Sequence, residues 1–197
     1  MDAIYAIPKP DSKMIESQRL MSEEYELLVK LFAENDVPLG IPNKHIEHAA
    51  ILTKYIFEKA KNNVYIFSGG LPEIFIDKIK PSLIAALKRD VKIKIVVTYP
   101  SDDFKSCDDL MDDPNFELYE IKEELKDIFE KNINHFSVSD SLMFRFEDIH
   151  EKKDFKENFE VTATANFNHP EYANGLEKKF KDFLEVSTKI NSGIKTV

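Results

Sequence analysis

"INHFSVSDSLMFRFED", residues 133–148, reads as a β-hairpin, and "VTATANFNHP", residues 161–170, reads as a later strand running into a helix. Alternation along the first arm puts His135, Ser137 and Ser139 on one side and Phe136 and Val138 on the other. The later strand carries small hydroxylated residues and ends in two asparagines, Asn166 and Asn168. A polar strand face with one histidine, near a strand ending in amides, has the makings of a site. Taken alone, His135 reads equally well as a solvent-facing residue on an edge strand.

Outward from the hairpin, the pattern alternates between helix and strand. "SEEYELLVKLFAEND", from Ser22, places Tyr25, Leu28, Val29 and Phe32 at helical spacing. "VPLGIPN", 37–43, breaks that pattern and reads as a linker or hinge. "KHIEHAAILTKYIFEKAKNN" is a second helix leading into the buried strand "NVYIFSGG". "LPEIFIDKIKPSLIAALKRD" is helical with a break expected before Pro81, and "VKIKIVVTYP" closes a βαβ unit. "FELYEI" is a third strand, "KEELKDIFEK" a helix, "FEVTATANF" the last strand, and "HPEYANGLEKKFKDFLEVSTKI" a long closing helix with Pro170 near its first turn. Together these predict an α/β fold: a mixed β-sheet flanked by helices, with residues 1–43 as an N-terminal helical arm and linker and residues 44–197 as the α/β domain.

The 197 residues, 43% of them hydrophobic, suffice for one large core. The net charge of −9 argues against a broad nucleic-acid surface. It is concentrated, however: residues 101–130 hold 12 acids and 3 bases, so this segment accounts for all of it and the remainder is neutral. No run approaches the roughly 18 apolar residues of a spanning helix, and the N-terminus lacks a signal-peptide layout, so a soluble cytoplasmic protein without membrane insertion is expected. The single cysteine, Cys107, has no internal disulfide partner and lies among aspartates that oppose thiolate formation.

Other motifs are weak. Gly69 and Gly70 follow a strand and precede a helix, where open α/β sheets bind ligands, but no Gly-Lys-Ser or Gly-Lys-Thr completes a P-loop. His45 and His48 stand three apart on a helix without further metal ligands in view. G-x-S-x-G, paired cysteines and H-E-x-x-H are all missing from the sequence. Neither a metal site nor a cofactor is expected.

The order "ILTKYIFEKAKNNVYIFSG", "LIAALKRDVKIKIVVTY", "HFSVSDSLMFRFE", "TATANFNHPEYANGLEKKFKDFLE" resembles one unit of the phospholipase D superfamily, over about residues 44–186. That family's signature is H-x-K-x4-D followed by G-S-x-N. His135 matches the signature histidine, Ser137 stands at the lysine and Leu142 at the aspartate, with Asp140 an acid displaced by two. In "ATAN", Ala163, Thr164 and Asn166 align with the glycine, serine and asparagine. The resemblance implies that His135, Ser137, Thr164, Asn166 and Asn168 line a phosphate pocket, with Arg145 as a substitute cation if it does not simply pair with Glu147 or Asp148.

In the family reaction one histidine attacks phosphorus and a second protonates the leaving oxygen, while lysines and asparagines stabilise the phosphoryl charge. Two signature units are needed and this chain holds one. The resemblance therefore implies a homodimer and leaves two readings open. One is a degenerate domain that binds a phosphate-containing ligand, nucleic acid or a protein partner with little or no turnover. The other is a metal-independent phosphodiesterase or nuclease that joins two copies of His135 across a twofold axis through a phosphohistidine intermediate. Loss of the lysine, a fixed charge beside phosphate, would cost about 10²–10³ in rate by analogy with other charge-stabilising groups.

Overall fold

The computed structural model describes residues 12–100, 107, 109–149 and 162–190, with side chains from residue 21. Helix α1 (Ser12–Glu34) is followed by β1 (Ile41–Asn43), α2 (Ile46–Lys59), β2 (Asn63–Ser68), α3 (Glu73–Leu87), β3 (Lys92–Val97) and β4 (Phe116–Ile121). After a 3-10 turn come α4 (Lys126–Asn132), β5 (His135–Ser139), β6 (Met143–Glu147), β7 (Ala163–Asn166), α5 (Pro170–Glu185) and β8 (Ser187–Ile190). The strands form one eight-stranded sheet in the order β1-β7-β6-β5-β2-β3-β4-β8. β2, β3 and β4 run parallel, and the remaining pairs are antiparallel. This is the expected mixed α/β sheet.

The strand alternation feeds two cores. On one face Val64, Ile66, Ile93, Ile95 and Ala165 pack against α1 (Val29, Ala33), α2 (Leu52, Ile56, Phe57) and α3 (Ile76, Ile79, Leu83). On the other, Phe67, Val96, Phe136, Val138 and Phe144 meet Phe129 of α4 and Phe180 and Phe183 of α5. A helical face of three or four apolar side chains per two turns, matched to a strand face of period two, is what such a layered arrangement requires.

Three local expectations need correction. Residues 41–43, read as linker, form edge strand β1 against β7, with Ile41 buried at its start. Pro81 lies inside α3 rather than at a break. Pro81 and Asp77, whose carbonyl loses its helical donor, both lie on the exposed side of the helix, while Ile76, Ile79 and Leu83 hold the inner face in the core. The closing helix stops at Glu185, and Ser187–Ile190 instead pairs with β4, as its β-branched residues favour. Residues 159–161 of the expected last strand, and 101–106 and 108 of the acidic segment, lie outside the described residues. No helix of the described residues is long and apolar enough to cross a membrane.

Candidate functional site

His135 opens β5, which is an interior strand between β2 and β6, and the side chain is buried. Its position follows from the βαβ unit beside it: β2 ends at Ser68, and the chain turns over the end of β5 at Gly69 and Gly70. The Gly69 N–H donates to His135 Nε2 at 3.0 Å. An imidazole that accepts at Nε2 is neutral, with its proton on Nδ1. Nδ1 faces Glu147 Oε1 at 3.8 Å. The two strand partners are directly opposite, His135 to Glu147 and Ser137 to Arg145, so the four side chains share one sheet face.

Arg145 is buried and salt-bridged to Glu147 through Nη2 and Oε2. Its Nε donates to Asn43 Oδ1 at 2.7 Å, and Asn43 Nδ2 donates in turn to the His45 carbonyl at 3.1 Å. Arg145 therefore pairs with Glu147, one of the two partners considered from sequence, but in the interior rather than at the surface. Ser137 Oγ, at the signature's lysine position, is buried without a hydrogen-bond partner. Tyr25 of α1 covers this end of the face: its hydroxyl donates to the Pro42 carbonyl at 3.0 Å, and its ring stacks on His48 at 3.7 Å between centroids. Burial pushes the Tyr25 hydroxyl well up from its ordinary pKa, against the opposing pull of Arg145. His48 is held below the usual imidazole range by burial and by neighbouring His45, with Glu47 opposing.

Thr164 and Asn166 do not join His135. The β6–β7 register sets Asn166 opposite Phe144 and Thr164 opposite Phe146, on the α5 side of the sheet. The β7 residues on the His135 side are Ala163, opposite Glu147, and Ala165, opposite Arg145. The expected shared wall is thus not formed, because a strand has period two and this register turns Thr164 and Asn166 to the other face. Asn166 Oδ1 accepts from the Asn168 N–H at 2.8 Å, closing the turn that leads into α5, and Asn168 Nδ2 donates to the Asp36 carbonyl at 2.9 Å. The amide beside Arg145 comes from Asn43 of β1.

Asn43 was missed from sequence; Glu147 was considered only as a partner for Arg145, and Gly69 only as half of a glycine pair at a ligand-binding position. Glu147 had a signal: it lies two residues from Arg145 on the same arm, hence on the same face. Asn43 arrives from a distant segment and had none, and the glycine pair at 69–70 gave no sign of its contact with His135. Asp140, the displaced acid, takes no part in the cluster. Its carboxylate accepts from three consecutive amides, Lys61 (2.7 Å), Asn62 (2.9 Å) and Asn63 (3.0 Å), and so ties the hairpin turn to the start of β2. Leu142, at the aspartate position, packs against the larger core. His45 and His48 contact each other edge to face at 5.3 Å, and among the described residues no three His, Cys, Asp or Glu side chains converge as a metal set.

The site thus holds a histidine whose Nε2 lone pair is engaged, an arginine neutralised by a carboxylate, and alanines where β7 faces them. Attack from Nε2 would require the Gly69 N–H to be displaced, and a phosphate would have to compete with Glu147 for Arg145.

No family model matches the chain, and no curated protein matches it in sequence. Solved structures do match its fold. Nuc from Salmonella typhimurium, a phospholipase D family member, aligns with TM-score 0.58 at 16% identity, over 78% of this chain and 99% of its own. TrmBL2, an archaeal chromatin protein with a novel mode of DNA binding, aligns with TM-score 0.56 at 17% identity, over 90% of this chain and 65% of its own. NucT from Helicobacter pylori aligns with TM-score 0.54 at 13% identity, over 77% and 99%. The chain has a phospholipase D-like fold.

Proposed function

We propose that this chain is a non-catalytic phospholipase D-like domain that acts as a homodimer by binding a protein partner, with little or no phosphodiester turnover. The observation that carries this reading is the occupied state of the His135 face: Nε2 accepts from Gly69, and Arg145 is neutralised by Glu147. Of the residues expected to cradle phosphate, Asn166 and Asn168 are engaged elsewhere and Thr164 is turned to the other sheet face, which favours a protein partner over a phosphate held in that pocket. The charge of −9, all of it carried by residues 101–130, weighs against nucleic acid at that segment. The alternative, a phosphodiesterase shared between two copies of His135, needs both histidines presented to one phosphate. Here His135 is 7% exposed.

The test is incubation of the full chain with bis(p-nitrophenyl) phosphate and with single- and double-stranded DNA, with and without EDTA. Background release, equal in His135→Ala, is expected. Robust EDTA-insensitive turnover that disappears in His135→Ala would overturn the reading in favour of the enzyme. A DNA mobility shift without cleavage would replace the protein partner with nucleic acid.

A further inference from the structure

A sheet can be lengthened only at its edges, where main-chain groups lack a neighbouring strand, and the edges here are β1 and β8. The two are built differently. β1 has three residues, with Ile41 opposite Ala165 of β7, Pro42 opposite Thr164 and Asn43 opposite Ala163. In an antiparallel pair alternate residues turn their N–H and C=O groups to the partner strand, and those between turn theirs away. Proline has no N–H to give β7, so the ladder bonds fall on Ile41 and Asn43 and the backbone of Pro42 faces the open side. Pro42 is thus the residue of β1 that a further strand would have to bond, and it offers no donor.

Its acceptor is taken as well. From α1 the Tyr25 hydroxyl donates to the Pro42 carbonyl at 3.0 Å. The phenol is held there on several sides: its ring stacks on His48, Val29 one turn later is fully buried in the larger core, and Glu26 beside it reaches Lys54 of α2 at 2.6 Å. Burial also pushes the hydroxyl up in pKa, so it stays a donor at ordinary pH. β8 has no counterpart to this arrangement. The Lys122 N–H donates to the Val186 carbonyl, and continuing that register bonds Thr188 and Ile190 to β4. Ser187 and Lys189 therefore turn their amides and carbonyls outward, with no side chain closing them among the described residues.

We propose that Tyr25 and Pro42 together close the β1 edge of the sheet against strand addition, whether the strand comes from a second copy of this chain or from an extended segment of another protein. Two different devices act on one residue: the proline removes the donor, and the tyrosine occupies the acceptor. The N-terminal arm is then a permanent boundary of the sheet, and β1 is excluded from the contacts open to a homodimer or a protein partner. The closure does not depend on the proposed function and holds whatever the chain binds.

Sedimentation velocity on the full chain across micromolar concentrations, for Tyr25→Phe, Pro42→Val and the two combined, tests this. Amide hydrogen exchange by NMR follows the N–H that Pro42→Val introduces. The double variant should associate roughly tenfold or more tightly than the unaltered chain, since a twofold pairing of β1 regains two main-chain hydrogen bonds. Its new amide should exchange slowly when associated and fast when diluted. Tyr25→Phe alone, which still offers no donor, should behave as the unaltered chain does. Pro42→Val alone should associate roughly threefold more tightly, and because residue 42 is exposed and α1 is left intact, it decides the question if the double variant loses its native circular dichroism. Both valine variants sedimenting as the unaltered chain does would overturn the closure, and so would association in which the new amide exchanges as fast as when dilute. The closure is read from differences between variants, so a monomeric unaltered chain would overturn the homodimer alone.

Discussion

The Gly69 amide lies 3.0 Å from His135 Nε2, and a Cβ built on Gly69 would lie 3.0 Å from that nitrogen and 3.2 Å from Cε1. The glycine at the end of β2 lets the main chain reach the imidazole closely enough to occupy the atom a phosphohistidine mechanism would use. Backbone freedom is not the issue here; the close approach is. Gly69→Ala should therefore cost about 1–3 kcal/mol, since the buried ring has little room to retreat. In a His135→Ala background the same substitution should cost much less. A denaturant double-mutant cycle measures the difference, and equal costs in the two backgrounds would rule out the contact as the cause.

Arg145 and Glu147 form a buried pair, so single substitutions should behave differently from a paired one. Glu147→Ala leaves the Arg145 charge buried with Asn43 as its neutral partner and should cost about 3–5 kcal/mol. Arg145→Met combined with Glu147→Leu removes both charges at similar volume and should fall within about 2 kcal/mol of the unaltered chain. Urea midpoints would report both. Should the double variant prove as damaged as Glu147→Ala, stranded charge is not what the single substitution exposes.

Asp140 holds a turn in which both it and Ser141 have positive φ, at 53° each. Its three amide bonds to Lys61, Asn62 and Asn63 join segments 77 to 79 residues apart in the chain. Asp140→Ala should destabilise the fold by about 2 kcal/mol, with discounting for partial exposure of the turn. Asp140→Asn, which keeps one acceptor, should lose less. Hydrogen exchange would show the damage first at Lys61, Asn62 and Asn63. Unchanged protection there would mean the carboxylate is dispensable.

Glu117 on β4 accepts from Lys94 of β3 and Lys189 of β8. Burial pushes its carboxyl up, but the two lysines outweigh that and bring its pKa down to about 2, from 4.5. A folded-state pKa below the unfolded one contributes stability that is complete above about pH 4.5 and is lost as pH falls toward 2. Glu117→Gln should accordingly flatten the dependence of stability on pH between those limits and lower stability at neutral pH. Parallel pH profiles for the two proteins across that window would remove Glu117 as the source.

Local chemistry alone determined the α/β class, most helix and strand positions, and the shared face of His135, Ser137 and Ser139, because the periods of 3.6 and 2 are properties of the chain itself. The same alternation correctly placed Thr164 and Asn166 on one side of their strand. Which side that was depended on the register of β7 against β6, across a connection of fifteen residues that carries no turn signal to set it, and a single step inverts every side chain. Tertiary structure likewise recruited Asn43 and Gly69 to His135 and Arg145 from segments that sequence separates by at least 66 and 102 residues. It also let Pro81 stay inside a helix, because the proline lies on the exposed side while the opposite side is held in the core. The pairing of Glu147 with Arg145 was decided in the same way: alternation put the acid beside Arg145, but only the packing of β1, α1 and α2 above it made the pair internal, where each charge needs the other.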